Sequence, residues 1–204
     1  MVKAVAFDYG KVISFPPENT VLDELAAAAG IGPQSLDALL WPHRNEYDRG
    51  TLTGKEYYRM LLAHGGVYPD EKTLEKMVDI DLKSWTHINP GTVSLMETIK
   101  AAPDLKLGIL SNMPHEFLAL ARGTIPVFDL PDSGIFSCEV GSIKPEEAIY
   151  RRLLSALGCE PEELVFFDDV RINVDKARSL GIQAFLWKDP ETARAELNRL
   201  RVLA

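Results

Sequence analysis

The chain has 204 residues, 46% of them hydrophobic and 25% charged, with a formal net charge of −8 at pH 7. That suffices for one substantial core with a smaller satellite domain and is too balanced for a disordered or fibrous chain. The negative balance repels polyanions, which argues against a nucleic-acid partner, and no run approaches the roughly 18 unbroken apolar residues of a membrane span. The opening segment runs straight into a strand-like stretch with no apolar leader, so a cytoplasmic location is the expectation. Cys138 and Cys159 are too few for a disulfide framework and lack metal-site spacing, which reads as two structural free thiols.

In chain order, residues 3–7 (KAVAF) form an apolar run that ends at Asp8, the pattern of a buried strand delivering a polar residue at its carboxyl end. Residues 15–85 then read differently. Leu22, Leu25, Ala26 and Ala29 recur at helical spacing before Gly30, as do Tyr57, Tyr58, Leu61 and Leu62 before Gly65, and Leu74, Met77 and Val78 beyond them. No convincing strand interrupts them. Strand-like runs return at 105–110, 164–167 and 182–187, separated by helical patterns, one begun by Pro145 and one carrying Val174, Ala177 and Leu180. Strands alternating with helices of this length predict an α/β fold with a mainly parallel sheet covered on both faces. The expected division is a core of residues 1–14 and 86–204 with a helical insert at 15–85.

Ligands of such sheets sit beyond the carboxyl ends of the strands, where four polar clusters fall. Asp8-Tyr9-Gly10 offers a carboxylate that could be a nucleophile or a turn aspartate, with Gly10 and Lys11 leaving room for close backbone approach. Ser111-Asn112 suits a phosphoryl or carboxylate oxygen, or caps a helix. Lys144 stands ahead of a helix, at the wrong end to pair with its dipole, so it is either a solvated lysine or the partner of an anion. Asp168-Asp169 places two acids at the end of one strand, a repulsion that a hard divalent cation relieves, although either could instead orient Lys144 or cap a helix.

Taken together, FDYG, LSN, SIKPE and VFFDD with Asn173 resemble, in order, the four motifs of the haloacid dehalogenase-like (HAD) superfamily. The resemblance covers nearly all of the core. It implies a Rossmannoid core with a C1-type helical cap, and RGTLTGKEYY is similar to the sugar-phosphatase and epoxide-hydrolase N-domain branch. It implies Asp8 as nucleophile, Ser111 and Lys144 on the transferring phosphoryl group, Asp168 as support, and Mg²⁺ held by Asp8, Asp169 and the Gly10 carbonyl. The substrate side would include Gly10, Lys11, Ser111, Asn112 and Lys144.

One departure stands out: relatives usually carry a second aspartate where this chain has Gly10, and glycine has no proton to transfer. The acid would then come from water, the substrate or the insert, from which Trp41, Arg44, Tyr47 and Trp85 are candidates for covering the site. The reading is a magnesium-dependent phosphomonoesterase acting on a small, possibly sugar, phosphorylated metabolite. Its rivals are a 2-haloacid dehalogenase attacking carbon from Asp8 and a non-catalytic anion-binding or scaffold protein. His43, His64, His87 and His115 lack metal-binding spacing and are given no role.

Overall fold

The computed structural model describes residues 1–203. Its centre is a five-stranded sheet of β1 (Ala4–Phe7), β2 (Lys106–Ser111), β3 (Ser133–Phe136), β4 (Leu164–Asp168) and β5 (Gln183–Leu186), in the order β3-β2-β1-β4-β5 with every pairing parallel. The strands are nearly continuous apolar runs because both faces are covered. Val5, Phe7, Leu107, Ile109, Val165 and Phe167 belong to one core. Their alternates Ala4, Ala6, Leu110, Leu164 and Phe166 belong to the other, as the two-residue period of a strand requires.

The first core is closed by α5 (Pro90–Lys100), α6 (His115–Thr124) and α10 (Pro190–Arg199). A short α7 (Ser137–Val140) follows β3, and the second core is closed by α8 (Glu147–Leu157) and α9 (Arg171–Ser179). Helix α8 lays Ile149, Tyr150, Leu153, Leu154 and Leu157 against the sheet. It can approach closely because Gly108 lacks a side chain: a Cβ there would lie 3.1 Å from Leu157 Cδ1 and 3.3 Å from Leu153 Cδ1. The sequence reading starts this helix at Pro145, whereas it starts at Glu147 and leaves Lys144-Pro145 in the preceding turn.

Between β1 and α5 stand four helices, α1 (Thr20–Ala29), α2 (Pro33–Asp48), α3 (Gly54–His64) and α4 (Glu71–Ser84), around a core of their own. No apolar periodicity marks helix α2, because only Leu36 and Tyr47 are buried along its 16 residues and Pro42 lies inside it. Strand β3 escapes because it is a four-residue edge strand with one buried side chain. A Thr53/Glu56 capping box starts α3, and Asp70 caps α4. The chain leaves and re-enters the sheet side by side: Ser14 bridges Ile88, the Phe15 N–H donates to His87 O at 2.7 Å and the Asn89 N–H to Ile13 O at 2.9 Å. No helix among the described residues is long and apolar enough to cross a membrane. Cys138 and Cys159 are both free.

Leu153 is fully enclosed between α8 and the sheet. Leu153→Ala is expected to lower the unfolding free energy by about 2–5 kcal/mol, read from urea unfolding midpoints.

Candidate active site

Three adjacent strands, β2, β1 and β4, end on polar residues at the same edge of the sheet. Asp8 leaves β1 with its N–H still bonded to Phe167 O at 2.8 Å. The chain then winds through one wide turn, Tyr9–Ile13, in which Lys11 takes a left-handed conformation (φ 60°). That turn brings the Tyr9 N–H back onto Asp8 Oδ1 at 2.7 Å. Tyr9 itself is buried against Phe117 and Phe128, and its hydroxyl donates to Trp85 O at 2.7 Å.

Lys144 is 4% exposed, and its Nζ lies 2.7 Å from both Asp8 Oδ1 and Asp168 Oδ2. Among the described residues, Asp8 Oδ2 accepts no protein hydrogen bond. Asp168 is fully enclosed and its acceptors are filled: the Val170 N–H and the Asn173 amide donate to Oδ1, and Asn173 and Lys144 donate to Oδ2. It holds the ammonium rather than facing the cavity. Asn112 likewise works on Lys144, accepting its N–H at 2.8 Å and donating to its carbonyl at 3.1 Å. Expected on the substrate side, Asn112 lines the cavity but has its amide engaged with the lysine main chain.

Asp169 is half-buried beside the cavity, with Lys11 Nζ 3.8 Å from its carboxylate. Asp8, Asp168 and Asp169 each present an oxygen within 4.8 Å of the others. Two of these carboxylates, Asp8 and Asp168, pair with the buried Lys144 ammonium, and Asp169 lies beside Lys11. Burial pushes the Asp8 carboxyl up to about 7, with Lys144 opposing and Asp168 adding to the shift. Burial also raises Asp169, reinforced by Asp168. For Lys144 burial works against the charge, but Asp168 and Asp8 outweigh it and the ammonium is held more firmly than usual. An all-oxygen set with surplus negative charge fits Mg²⁺. Asp8 and Asp169 are the residues with oxygens left to give it.

The cavity over Asp8 has a volume of about 180 Å³ and also takes in Gly10, Ser111, Trp41, Arg44 and Trp85. Ser111 is buried at the end of β2 with its hydroxyl 3.5 Å from Asn112 O, too long to hold it firmly. The Lys11 N–H, in the turn expected to let the backbone approach a ligand closely, is spent on Ser14 Oγ at 3.3 Å. Of the four insert residues singled out in the sequence, Tyr47 does not reach the cavity; it is buried and stacked on Tyr57 at 5.0 Å. A Cβ on Gly10 would lie 3.3 Å from Trp85 Cζ3, so the indole ring occupies the direction a side chain at position 10 would take.

The residue that sequence reasoning missed is Asp48, at the end of α2. It lines the same cavity as Asp8 and Lys144 and is fixed by Arg44 Nε at 2.9 Å, while Arg44 Nη1 reaches Asp81 at 2.9 Å. Burial raises its carboxyl above the ordinary value, with Arg44 opposing. No local motif announces it, although its four-residue spacing from Arg44 was available in the sequence. The following residue fastens this end of α2 to the sheet domain: Arg49 donates to Gly141 O and pairs with Glu146, which also accepts from Ser142 and the Ile143 N–H.

A family model for haloacid dehalogenase-like hydrolases matches residues 2–181. Bifunctional epoxide hydrolase 2 of Sus scrofa is 42% identical over 66 residues, 32% of this chain and 12% of that protein. A phosphatase of Mycobacterium tuberculosis is 29% identical over 118 residues, 56% of this chain and 53% of that protein. Both matches thus span less than two thirds of the relative's own length. Among solved structures, a HAD family enzyme of Bacteroides thetaiotaomicron, in complex with magnesium and inorganic phosphate, superposes with a TM-score of 0.74 over 93% of this chain and 96% of that one, at 19% identity. That likeness is one of fold.

The Arg49 guanidinium holds Glu146 down to about 2, against an ordinary 4.5. The stabilisation is therefore fully present above pH 4.5 and is lost as the pH falls toward 2. Because Glu146 is 44% exposed, solvent screening limits it to about 1 kcal/mol or less. Glu146→Gln is expected to cost up to that amount at pH 6 and less at pH 3, compared with the unmodified protein by urea unfolding.

Proposed function

The chain belongs to the haloacid dehalogenase-like hydrolase family, and on that premise we propose that it is a magnesium-dependent phosphomonoester hydrolase working through an aspartyl phosphate on Asp8. Residues 15–85 act as the cap and a small phosphorylated metabolite is the substrate; sugar phosphates are one class of such esters. The observation that carries the reading is the Lys144 ammonium shared between Asp8 and Asp168, with Asp169 alongside. A buried cation that fixes one oxygen of a carboxylate and leaves the other open prepares that carboxylate to attack an anionic centre. The phosphatase of Mycobacterium tuberculosis and the magnesium–phosphate complex of the Bacteroides enzyme support the same chemistry.

In the proposed cycle an oxygen of Asp8 attacks phosphorus in line and the bond to the ester oxygen breaks, leaving an aspartyl phosphate and an alkoxide that takes a proton. Water then attacks the same phosphorus, the bond to Asp8 breaks, and inorganic phosphate departs. Lys144 and the loosely held Ser111 hydroxyl contact the equatorial oxygens as charge develops. Asn112, Asp168 and Asn173 keep Lys144 in position. Magnesium bound by Asp8, Asp169 and the Gly10 carbonyl would supply the remaining neutralisation of phosphoryl charge.

The proton that Gly10 cannot supply is assigned to Asp48. It is the cap carboxyl on the same cavity, and its raised proton affinity is the direction a donor needs. Trp85, over Gly10, keeps water from that side. Against dehalogenation stands the cluster of carboxylates Asp8, Asp168 and Asp169, which suits a divalent cation that attack on carbon does not need.

Phosphate release from a phosphomonoester panel is expected to require magnesium, stop with chelator and fall to background in Asp8→Asn. Chloride release from 2-chloropropionate that survives chelation would move the chemistry to carbon, and magnesium-dependent phosphate binding without turnover would make the protein a scaffold. Asp48→Asn is expected to lower kcat by about 10²–10⁴ for alkyl esters and far less for 4-nitrophenyl phosphate, whose leaving oxygen needs no proton. An equal loss on both would remove Asp48 from proton transfer.

A further inference from the structure

Asp48, to which proton transfer is assigned above, is held in three successive steps. Its main chain is fixed by the sheet domain: the buried Ser137 hydroxyl donates to Asp48 O, and the Met113 N–H donates to that same hydroxyl oxygen at 2.9 Å. Its carboxylate is fixed by its own helix, where Arg44 Nε donates to Oδ1 at 2.9 Å. Arg44 is in turn fixed from α4, where its Nη1 donates to Asp81 Oδ2 at 2.9 Å. The other oxygen of Asp81 accepts from Trp85 Nε1 at 3.3 Å. One carboxylate on α4 therefore holds two of the cap residues that line the cavity over Asp8.

A single carboxylate would neutralise Arg44. Two leave the trio with an excess negative charge largely out of water, since the side chains of Arg44, Asp48 and Asp81 are 18%, 14% and 8% exposed. A proton on one acid relieves that excess, and Asp48 is the one that lines the cavity while Asp81 lies outside it. Burial raises the proton affinity of Asp48, Arg44 opposes it, Asp81 adds to it and Lys144 opposes it. The neighbouring elements bring further groups. Lys144 stands with its partner Asp8 in the sheet domain, and Arg49, next in the chain, is turned to Glu146. From α6, Glu116 accepts the Gly54 N–H and His115 lies against Gly50. The rings of Tyr47 and Tyr57 lie 5.1 and 5.9 Å from Arg44 Cζ, and burial keeps both hydroxyls neutral.

Resting on the phosphatase reading above and on Asp48 as its proton donor, we propose that Asp81 is a positioning residue for that donor: by holding one arm of the Arg44 guanidinium it sets the other arm, and with it Asp48, at the cavity over Asp8. The planar fork of an arginine transmits position in this way, because fixing one nitrogen fixes the direction of the others. The charge of Asp81 also offsets that of Arg44, which by itself would favour the ionised form of Asp48. In the step it serves, the Asp48 carboxyl gives its proton to the ester oxygen as the bond to phosphorus breaks. The resulting carboxylate takes a proton back from the water that hydrolyses the aspartyl phosphate.

The test uses the full chain with magnesium and two esters: ethyl phosphate, whose leaving oxygen needs a proton, and 4-nitrophenyl phosphate, whose leaving oxygen does not. Asp81→Asn keeps the size of the side chain and is expected to lower kcat on ethyl phosphate by about 10²-fold, the cost of a donor displaced by about 1 Å, with far less change on the aryl ester. The high-pH limb of the ethyl phosphate profile moves to lower pH, because Asp48 gives up its proton more readily without Asp81, and Asp81→Glu, which keeps the charge, returns the limb. In the Asp48→Asn background Asp81→Asn costs nothing further on ethyl phosphate, an outcome that a merely structural role does not produce. Should circular dichroism show Asp81→Asn unfolded, Arg44→Lys, which keeps the charge without the fork, carries the same two comparisons. An equal loss on both esters, or a loss that adds to that of Asp48→Asn, overturns the proposal and spares the phosphatase reading. Ethyl phosphate turnover untouched by Asp48→Asn overturns it together with the donor assignment. With no ester hydrolysed the phosphatase reading falls, and a carboxyl NMR titration, with the Asp48 signal assigned by its loss in Asp48→Asn, decides the linkage: titration at lower pH in Asp81→Asn keeps the coupling of Asp81 to Asp48, and an unchanged titration overturns it.

Discussion

The site depends on an ammonium buried between two carboxylates. Taking Lys144, Asp8 and Asp168 out of water is costly, and their mutual attraction offsets that cost only when geometry and hydrogen bonding are complete. Here they are nearly so. Asp168 has every acceptor engaged, Asn112 clamps the lysine main chain on both sides, and the Tyr9 N–H holds the near oxygen of Asp8. What is left over is informative: one oxygen of Asp8, the half-buried carboxylate of Asp169 and the hydroxyl of Ser111 face the cavity without firm partners. A framework that satisfies its supporting groups and leaves three donors or acceptors around one small space is arranged for a ligand.

The parallel sheet makes this arrangement possible. Strands β2, β1 and β4 are neighbours, so Ser111, Asp8 and Asp168 arrive at one edge with the spacing of adjacent strands, and the crossover after β3 delivers Lys144 above them. Small residues let the layers close. Ala4, Ala6 and Gly108 make room for the leucines of α8, and the helix that follows Lys144 can then sit directly on the sheet.

The four-helix insert turns an exposed edge into an enclosed space. Its end at α2 is tied to the sheet domain through Arg49, Gly141 and Glu146, which sets Asp48 over the cavity. Its end at α4 lays Trp85 across Gly10. These two features belong together: with the indole there, a longer residue at position 10 would have to displace it, and the carboxyl absent from the turn is available from α2 instead. The insert thus adds a buried carboxyl and an indole to the cavity that the sheet edge opens.

Much of this was legible in the amino-acid sequence. Apolar runs ending on Asp8, Ser111 and Asp168 are dictated by burial on both faces of a parallel sheet, and the order of the four polar clusters identified the family and named Lys144 and Asp169. Elements with few fully buried side chains were not legible: edge strand β3 has one and helix α2 two, so no periodicity marks them. The sequence also could not separate the neighbours Asp168 and Asp169, one locked onto Lys144 and the other open to the cavity, because successive residues at a strand's end point in different directions. Only the tertiary structure brought Asp48 to the cavity over Asp8 and set Trp85 against Gly10. Those relations join residues tens of positions apart, and their proximity is decided by how the helices pack rather than by any local pattern.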